Sequence, residues 1–346
     1  MKFQRETFQT WIESLACHAG VDPKEAAVLA KVLVWSDMIS RPEQGVWRLP
    51  TYLKRFKHGL IRSPCHAYTA TRRKAVSLVD GRNGFGQVIG QLAMRRAIRL
   101  ATDFGVGVVG VKRSNHFGPA AYYVNLAAEK GYLGLAFSNA APRVAPAVSK
   151  VPLLGTNPIA LGAPRLSGRA ILVDLSTSAS AGSKVRRAAE KGEALSSGIA
   201  RDADGRAVKD ARAAVSGVLE PMGGSRGFAL SIMVEILSGV ITGAAISHEV
   251  ASIYENFSRP NGVGHTFVAL DIDAFISRRT YFKRIEALVG FMQSTVHTSG
   301  TDESIVPGDR RWLAYEKHTA EGLHVDDRTC DALRTTAREL GANTLW

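Results

Sequence analysis

Five stretches of this sequence gather side chains able to do chemistry. The first is Ser114-Asn115-His116-Phe117-Gly118. It falls where a strand pattern ends and a helix pattern begins, so the imidazole stands at a sheet edge with Asn115 beside it to orient the ring. Histidine titrates near neutrality, and His116 suits the proton that accompanies hydride transfer to a carbonyl or imine. On spacing alone, a single histidine is more often a structural residue. The second stretch is Ser138-Asn139-Ala-Ala-Pro142 with Leu154-Gly155-Thr156-Asn157-Pro158. Polar groups with small neighbours at strand ends fit a cofactor amide or ribose, and the same letters form ordinary turns. The third, Asp174-Leu175-Ser176-Thr177-Ser178, closes a strand with one carboxylate and short hydroxyls suited to ribose and phosphate. The fourth, Met222-Gly223-Gly224-Ser225-Arg226-Gly227, brings glycines and a cation to a helix start, a combination that suits a phosphate or carboxylate. The fifth, Val306-Pro307-Gly308-Asp309-Arg310-Arg311, is a basic turn that also reads as a solvated loop.

Two glycine patterns mimic dinucleotide fingerprints. Gly105-Val-Gly107-Val-Val-Gly110 matches GxGxxG letter for letter, but it follows a helix and lies inside a strand pattern. The mechanism needs the reverse order, strand then helix, so that the pyrophosphate meets a helix N-terminus. These glycines read as close-packing positions. Gly84-Phe-Gly86-Gln-Val-Ile-Gly90 does follow a strand and open a helix. A Rossmann unit also requires an acidic residue ending the next strand, and here that strand ends at Lys112. A tight glycine turn near the active site is the expectation.

The elements that must position these groups alternate in kind. The first 60 residues read as helical, with Asp22-Pro23 as a helix start and a loop at SRPEQGVWR. Strands are expected at 75–80, 106–112, 132–139, 157–164 and 170–176, and helices at 86–105 and 119–131. Residues 177–225 are polar and glycine-rich and read as long loops with short helices. Arg226 to Gly243 reads as a strong helix, 265–273 as a strand, and Phe275 to Trp346 as mostly helical. The fold class is α/β with a buried sheet.

Composition bounds the function classes. The chain has 346 residues, enough for two domains or one large one, with 45 % apolar and 22 % charged residues. Its three cysteines, Cys17, Cys65 and Cys330, are far apart and form no CxxC pair, which argues against a disulfide framework or a zinc site. There is no HExxH and no GxSxG, and no metal is expected. The N-terminus lacks the apolar core of a secretory signal. The longest apolar candidate for a span, Phe228 to Ile246, is interrupted by Ser231, Glu235, Ser238 and Thr242. A cytoplasmic protein with no membrane contact is expected. The net charge of +13 invites nucleic acid, but the basic residues are scattered, and the densest runs, Lys54-Arg55-Phe56-Lys57, Arg72-Arg73-Lys74 and Arg278-Arg279, are short. A positive field that draws in an anionic substrate and cofactor is the simpler account.

Seven segments, VDGRNGFGQVIG, VKRSNHFGPAAYYVNLAAEKG, SNAAPRVAP, LLGTNPIALGAP, VDLSTS, GGSRGFALSIMVEILSGVITGA and RPNGVGHTFVALDIDAF, stand in register with one family. In them the chain resembles the malate/L-lactate dehydrogenase family, whose fold is not a Rossmann fold. The resemblance runs from about Ala26 to Arg311. It implies a mixed sheet with helices, a homodimer, and NAD or NADP as cofactor. It implies His116 as the acid/base residue, with Asn139 at the substrate. Asp174, Leu175, Ser176, Lys184, Arg226, Val306, Pro307 and Gly308 are implied at the cofactor. Arg48, in GVWRLPTY, matches the family's clamp for the substrate carboxylate. The expected division is a mostly helical part, 1–70 plus 275–346, and an α/β cofactor-binding part, 71–274.

The chain departs from that pattern in two places. The family's Ser-His-Gly before the clamp is Glu43-Gln44-Gly45 here, and arginine stands at 226 where lysine is typical. Gln44 cannot donate a proton as histidine does, and Glu43 adds a negative charge where an acid substrate would sit. The expected function is hydride transfer between nicotinamide and a small 2-oxo or 2-hydroxy acid or a cyclic imino acid, with Glu43 and Gln44 reading the substrate. Glu43 would then pair with a cationic amine or imine. Two alternatives remain at this point: a cofactor-binding pseudoenzyme of the same fold, and a basic nucleic-acid-binding protein.

Overall fold

The computed structural model describes residues 1–294 and 306–346. The chain opens with a two-residue strand, β1 (Lys2–Phe3), and three helices, α1 (Arg5–His18), α2 (Pro23–Met38) and α3 (Leu49–Lys57). Asp22 caps α2 by accepting from the backbone N–H groups of Lys24 and Glu25, with Pro23 in the first turn. Two short 3₁₀ turns, Pro42–Gln44 and Val46–Arg48, replace the expected loop. Gly45 lies between them, and a Cβ there would sit 2.3 Å from the buried Asp37 carboxylate. That carboxylate accepts from the Val46 N–H at 2.8 Å, so only glycine lets the turn close on Asp37.

The main sheet follows. Its strands are β2 (Tyr68–Arg73), β3 (Val76–Asp80), β4 (Val106–Ser114), β5 (Tyr132–Ser138), β6 (Ile159–Ala163), β7 (Ile171–Leu175) and, much later, β11 (Val263–Asp271). The order across the sheet is β2-β3-β4-β11-β5-β6-β7. Only β3 and β4 are parallel. β11 enters antiparallel between β4 and β5, with Phe267 opposite Val109 on one side and Ala136 on the other. Helices α4 (Gly86–Phe104) and α5 (Ala120–Glu129) lie on the sheet, and one core joins Val79, Met94, Val109, Tyr123, Ala136 and Phe267. The inserted antiparallel strand is incompatible with a Rossmann unit. Both glycine patterns serve packing. A Cβ on Gly107 would lie 2.0 Å from the Ala97 carbonyl oxygen of α4, and one on Gly86 would lie 2.1 Å from the Asn115 carbonyl oxygen.

Between β7 and β11 the chain forms α6 (Gly182–Lys191), β8 (Ala200–Arg201), β9 (Ala207–Val208), α7 (Ala211–Ser216), β10 (Val218–Leu219) and α8 (Ser225–Glu235). The stretch expected as loops with short helices therefore also carries a small three-stranded sheet, in the order β10-β8-β9. The helix expected through Gly243 is regular only to Glu235 and then widens into a π turn, Ile236–Val240. Gly264 of β11 presses on that turn: a Cβ there would meet the Ser238 carbonyl oxygen at 1.8 Å.

The C-terminal part contains α9 (Arg278–Gln293), α10 (Asp309–Glu321), β12 (Leu323–His324) and α11 (Asp327–Glu339). β12 pairs with β1. Phe8, Trp11, Leu33, Tyr52, Leu323 and Leu333 share a second core that ties the two ends of the chain together. α9 sits elsewhere, its Val289 packing with Ala163, Ile171 and Val306 against the sheet.

Candidate active site

The carrying strands finish at one rim of the sheet. In the ladder Ser114 stands opposite Val263, Ser138 opposite His265, and Ile159 opposite both Phe137 and Leu175. His116 follows β4 at this rim and is half-buried. Its Nδ1 lies 2.6 Å from the Tyr52 hydroxyl of α3 and 3.3 Å from the Gly118 backbone nitrogen. Burial, then the charge of Arg48, then His265 hold its pKa well below the ordinary histidine value. The expected orienting role of Asn115 is not what the structure has. Its amide donates to the carbonyls of Asn83 and Gly84 and so fixes the glycine turn before α4.

Behind His116 lies a second histidine that sequence reasoning passed over. His265 is fully buried, stacks on Phe117 at 4.5 Å, and lies 2.8 Å from Ser138 Oγ and 2.9 Å from Ser114 Oγ. It thus ties together the ends of β4 and β5, each one or two residues ahead of a site residue. Burial pushes its pKa down to about 3.

Two connected spaces open at the rim. The smaller, about 160 Å³, is lined by Gln44, Arg48, His116, Arg143, Arg186, Tyr254 and Glu255 among others. Arg48 is only 4 % exposed. Its Nε donates to the Glu43 carbonyl at 2.9 Å and its Nη1 to the Tyr254 hydroxyl at 2.5 Å. Among the described residues no carboxylate pairs with it. A buried guanidinium without a counterion is a standing invitation to an anionic ligand, since leaving it unpaired is costly.

The larger space, about 350 Å³, is a trough lined by Arg41, Glu43, Gln44, His116, Thr156, Asp174, Leu175, Ser176, Ser178 and Lys184 among others. Asp174 accepts from the Ala121 N–H at the start of α5, and Arg311 reaches it from α10, with Nη2 donating to the Asp174 carbonyl at 2.9 Å. Ser176 Oγ donates to the Ser178 carbonyl at 3.0 Å. Glu43 faces this trough, where Arg41 answers its charge at 3.6 Å. The expectation that Glu43 pairs with a cationic substrate beside Arg48 does not fit that placement. Gln44 lines both spaces. Its Nε2 donates weakly to Ser183 Oγ at 3.4 Å, while its buried Oε1 finds no donor among the described residues.

Asn139 also borders both spaces, but its side chain is committed. Nδ2 donates to the Ala245 carbonyl at 2.8 Å and to Glu235, and Oδ1 accepts from the Gly264 N–H at 2.9 Å. Glu235, which sequence reasoning noted only as a break in an apolar run, also accepts from Asn157 Nδ2 and the Ser247 N–H, both at 2.8 Å. Arg226 is exposed on the first turn of α8 and does not line the trough. Nor do Val306, Pro307 and Gly308. They press on β7, where the Leu172 N–H donates to the Pro307 carbonyl at 3.0 Å and Gly308 takes φ 105°. Among the described residues no three His, Cys, Asp or Glu side chains are grouped to hold a metal.

Residues 3–334 match the family described as malate/L-lactate dehydrogenase. The chain is 33 % identical over 327 residues to the malate/(S)-sulfolactate dehydrogenase of Methanothermus fervidus, covering 94 % of each chain. It is 34 % identical over 318 residues to the (2R)-3-sulfolactate dehydrogenase (NADP(+)) of Chromohalobacter salexigens, covering 92 % of each. The structure of malate dehydrogenase from Pyrococcus horikoshii OT3 superposes with a TM-score of 0.92 at 28 % identity, covering 100 % of this chain and 97 % of that one. None of these speaks for a nucleic-acid-binding protein or for a member that has lost its chemistry.

Proposed function

The chain belongs to the malate/L-lactate dehydrogenase family of NAD(P)-dependent oxidoreductases, and from that premise we propose that it moves a hydride to or from C2 of a small 2-oxo or 2-hydroxy acid. His116 handles the proton and Arg48 holds the carboxylate. The observation that carries this reading is the shared chamber: a buried, unpaired guanidinium and a half-buried imidazole line one space.

The trough fits a dinucleotide. It is hydroxyl-lined and bordered by an exposed Lys184 for which no ion pair is formed among the described residues. Asp174, Ser176, Ser178 and Lys184 would hold the ribose and phosphate groups, and the unpartnered Gln44 Oε1 would accept from an amide. Arg226 and residues 306–308 act at one remove, through α8 and through β7. When bound, the nicotinamide supplies the carbon that gives or takes the hydride.

The rest follows from this chain's own groups. The Glu43 carbonyl and the Tyr254 hydroxyl fix two N–H groups of Arg48, leaving the others to grip a carboxylate and aim C2. During reduction His116, charged, gives its Nε2 proton to the oxygen forming on C2. The ring then keeps a proton on Nδ1. Gly118 can only donate to Nδ1, so Tyr52 is the contact that accepts that proton's hydrogen bond. With Gln44 in the place of a histidine, His116 is the single imidazole lining the site among the described residues, and Gln44 positions ligand rather than moving protons.

We place the enzyme in the cytoplasm as a homodimer. Three free thiols support the compartment. Ile232, Met233, Ile236, Val240 and Ile241 form an exposed apolar stripe along α8 and its π turn that a second copy would cover. Among the described residues no helix is long and apolar enough to cross a membrane. The test is loss of NADH or NADPH absorbance with a panel of 2-oxo acids and cyclic imino acids. Turnover of 2-oxo acids is expected; cofactor binding with silence across the panel would refute the reading.

A further inference from the structure

We propose that Arg143 and Arg186 form a second anion subsite in the chamber that holds Arg48, so that the ligand carries a carboxylate or sulfonate at its far end. This rests on the reading of the chamber as a 2-oxo acid site. Among the described residues, the charged side chains lining that chamber, apart from His116, are Arg48, Arg143, Arg186 and Glu255. Three arginines against one glutamate leave two positive charges. One carboxylate at Arg48 neutralises one of them and leaves the other.

The leftover cation is built in. Arg143 follows Pro142 and is clamped by the last turn of α7: its Nη1 donates to the Val215 carbonyl at 2.6 Å and its Nη2 to the Ala214 carbonyl at 3.1 Å. Those carbonyls fix the plane of the guanidinium and leave its remaining N–H groups free for a ligand. No ion pair is formed by Arg143 among the described residues. It lines the same space as Arg186 and Glu255, and burial lowers its pKa. Arg186 lies 4.2 Å over the Tyr254 ring and donates to Glu255 at 2.7 Å. The Tyr254 hydroxyl also accepts from Arg48, so both guanidiniums are anchored on this one ring. A monoanion would satisfy one end and leave the positive charge at the other uncompensated; a dianion satisfies both.

The test uses ligands that cannot be reduced. Cofactor-saturated protein is titrated calorimetrically with succinate, 3-sulfopropanoate and butanoate. We expect at least one of the two dianions to bind about tenfold or more tighter than butanoate, with which of them binds better identifying the far group. Arg143→Met is expected to bring that preference to within about twofold, and Arg186→Gln to reduce it. If loss of the α7 clamp unfolds the Arg143 variant, the half-buried Arg186→Gln decides. Equal binding of butanoate and both dianions, or a preference unchanged in the variants, overturns the subsite. Dianion preference without turnover of any 2-oxo acid would overturn the oxidoreductase reading alone. Turnover of mono- and dianionic acids with equal kcat/KM would overturn the subsite alone.

Discussion

Replacing Tyr52 by phenylalanine isolates one hydrogen bond. The hydroxyl lies 2.6 Å from His116 Nδ1, and the other partner of that nitrogen, the Gly118 N–H at 3.3 Å, can only donate. Whenever Nδ1 carries a proton, Tyr52 is its acceptor. That condition holds in the imidazolium and in the ring left after Nε2 has given up its proton. In Tyr52→Phe the Nδ1 proton would face another donor. An unsatisfied buried N–H costs about 1–3 kcal/mol, which corresponds to roughly a 5- to 150-fold loss in kcat/KM. The same penalty lowers a His116 pKa that is already depressed by burial and by Arg48. The sign is therefore fixed: the pH below which keto-acid reduction reaches its plateau moves down. The fold should survive, because Tyr52 is buried in an apolar core and phenylalanine keeps the ring. The assay is kcat/KM for reduction from pH 5 to 9 alongside a urea unfolding curve. A variant with an unshifted pH profile and wild-type turnover would refute the role of Tyr52 and the proton path through Nδ1.

Three other outcomes follow. Arg48→Gln removes a charge-assisted clamp, so kcat/KM for 2-oxo acids should fall about 10- to 100-fold; because Arg48 depresses the His116 pKa, the acid plateau should also move to higher pH. His265 is neutral in the fold with its pKa at about 3, against 6.5 unfolded. The unfolded chain then binds the extra proton below pH 6.5, so stability is lost as pH falls from there toward 3, by about 2 kcal/mol from this group at pH 5. Urea midpoints at pH 7 and 5 measure the loss, and His265→Gln should flatten it by that amount. Gly107→Ala would put a Cβ 2.0 Å from the Ala97 carbonyl, and α4 must lift from β4. A loss of about 1–3 kcal/mol is expected in thermal or urea unfolding.

The legible parts of this protein were those set by local pattern. β3 to β7, α4 and α5 show in the sequence because apolar spacing and glycine stops are local signals. β11 was legible as a strand, but its insertion between β4 and β5 was not, because that pairing is made across more than a hundred residues. β2 was missed because Tyr68–Arg73 is an exposed, charged edge strand with no buried face to impose alternation. Within the site, His116 announced itself by its place at a strand end. Arg48 was found only through family resemblance, since an arginine among helical residues reads as a surface cation until the fold buries it. Tyr52 read as ordinary core, and Arg143 and Arg186 were lost in a scattered excess of positive charge. Glu235 did leave a signal, a lone carboxylate in FALSIMVEILSGV. A charge inside an apolar helix needs partners, and here they are Asn139, Asn157 and the Ser247 N–H.

The central claim is that His116 carries the proton of a hydride transfer at C2. The most direct measurement is the turnover of NADH or NADPH with the best 2-oxo acid by wild type and by His116→Ala, with cofactor affinity measured on the same samples. The account predicts a loss of about 100-fold or more in kcat with cofactor affinity retained. Wild-type turnover in the variant would contradict it and return His116 to a structural role.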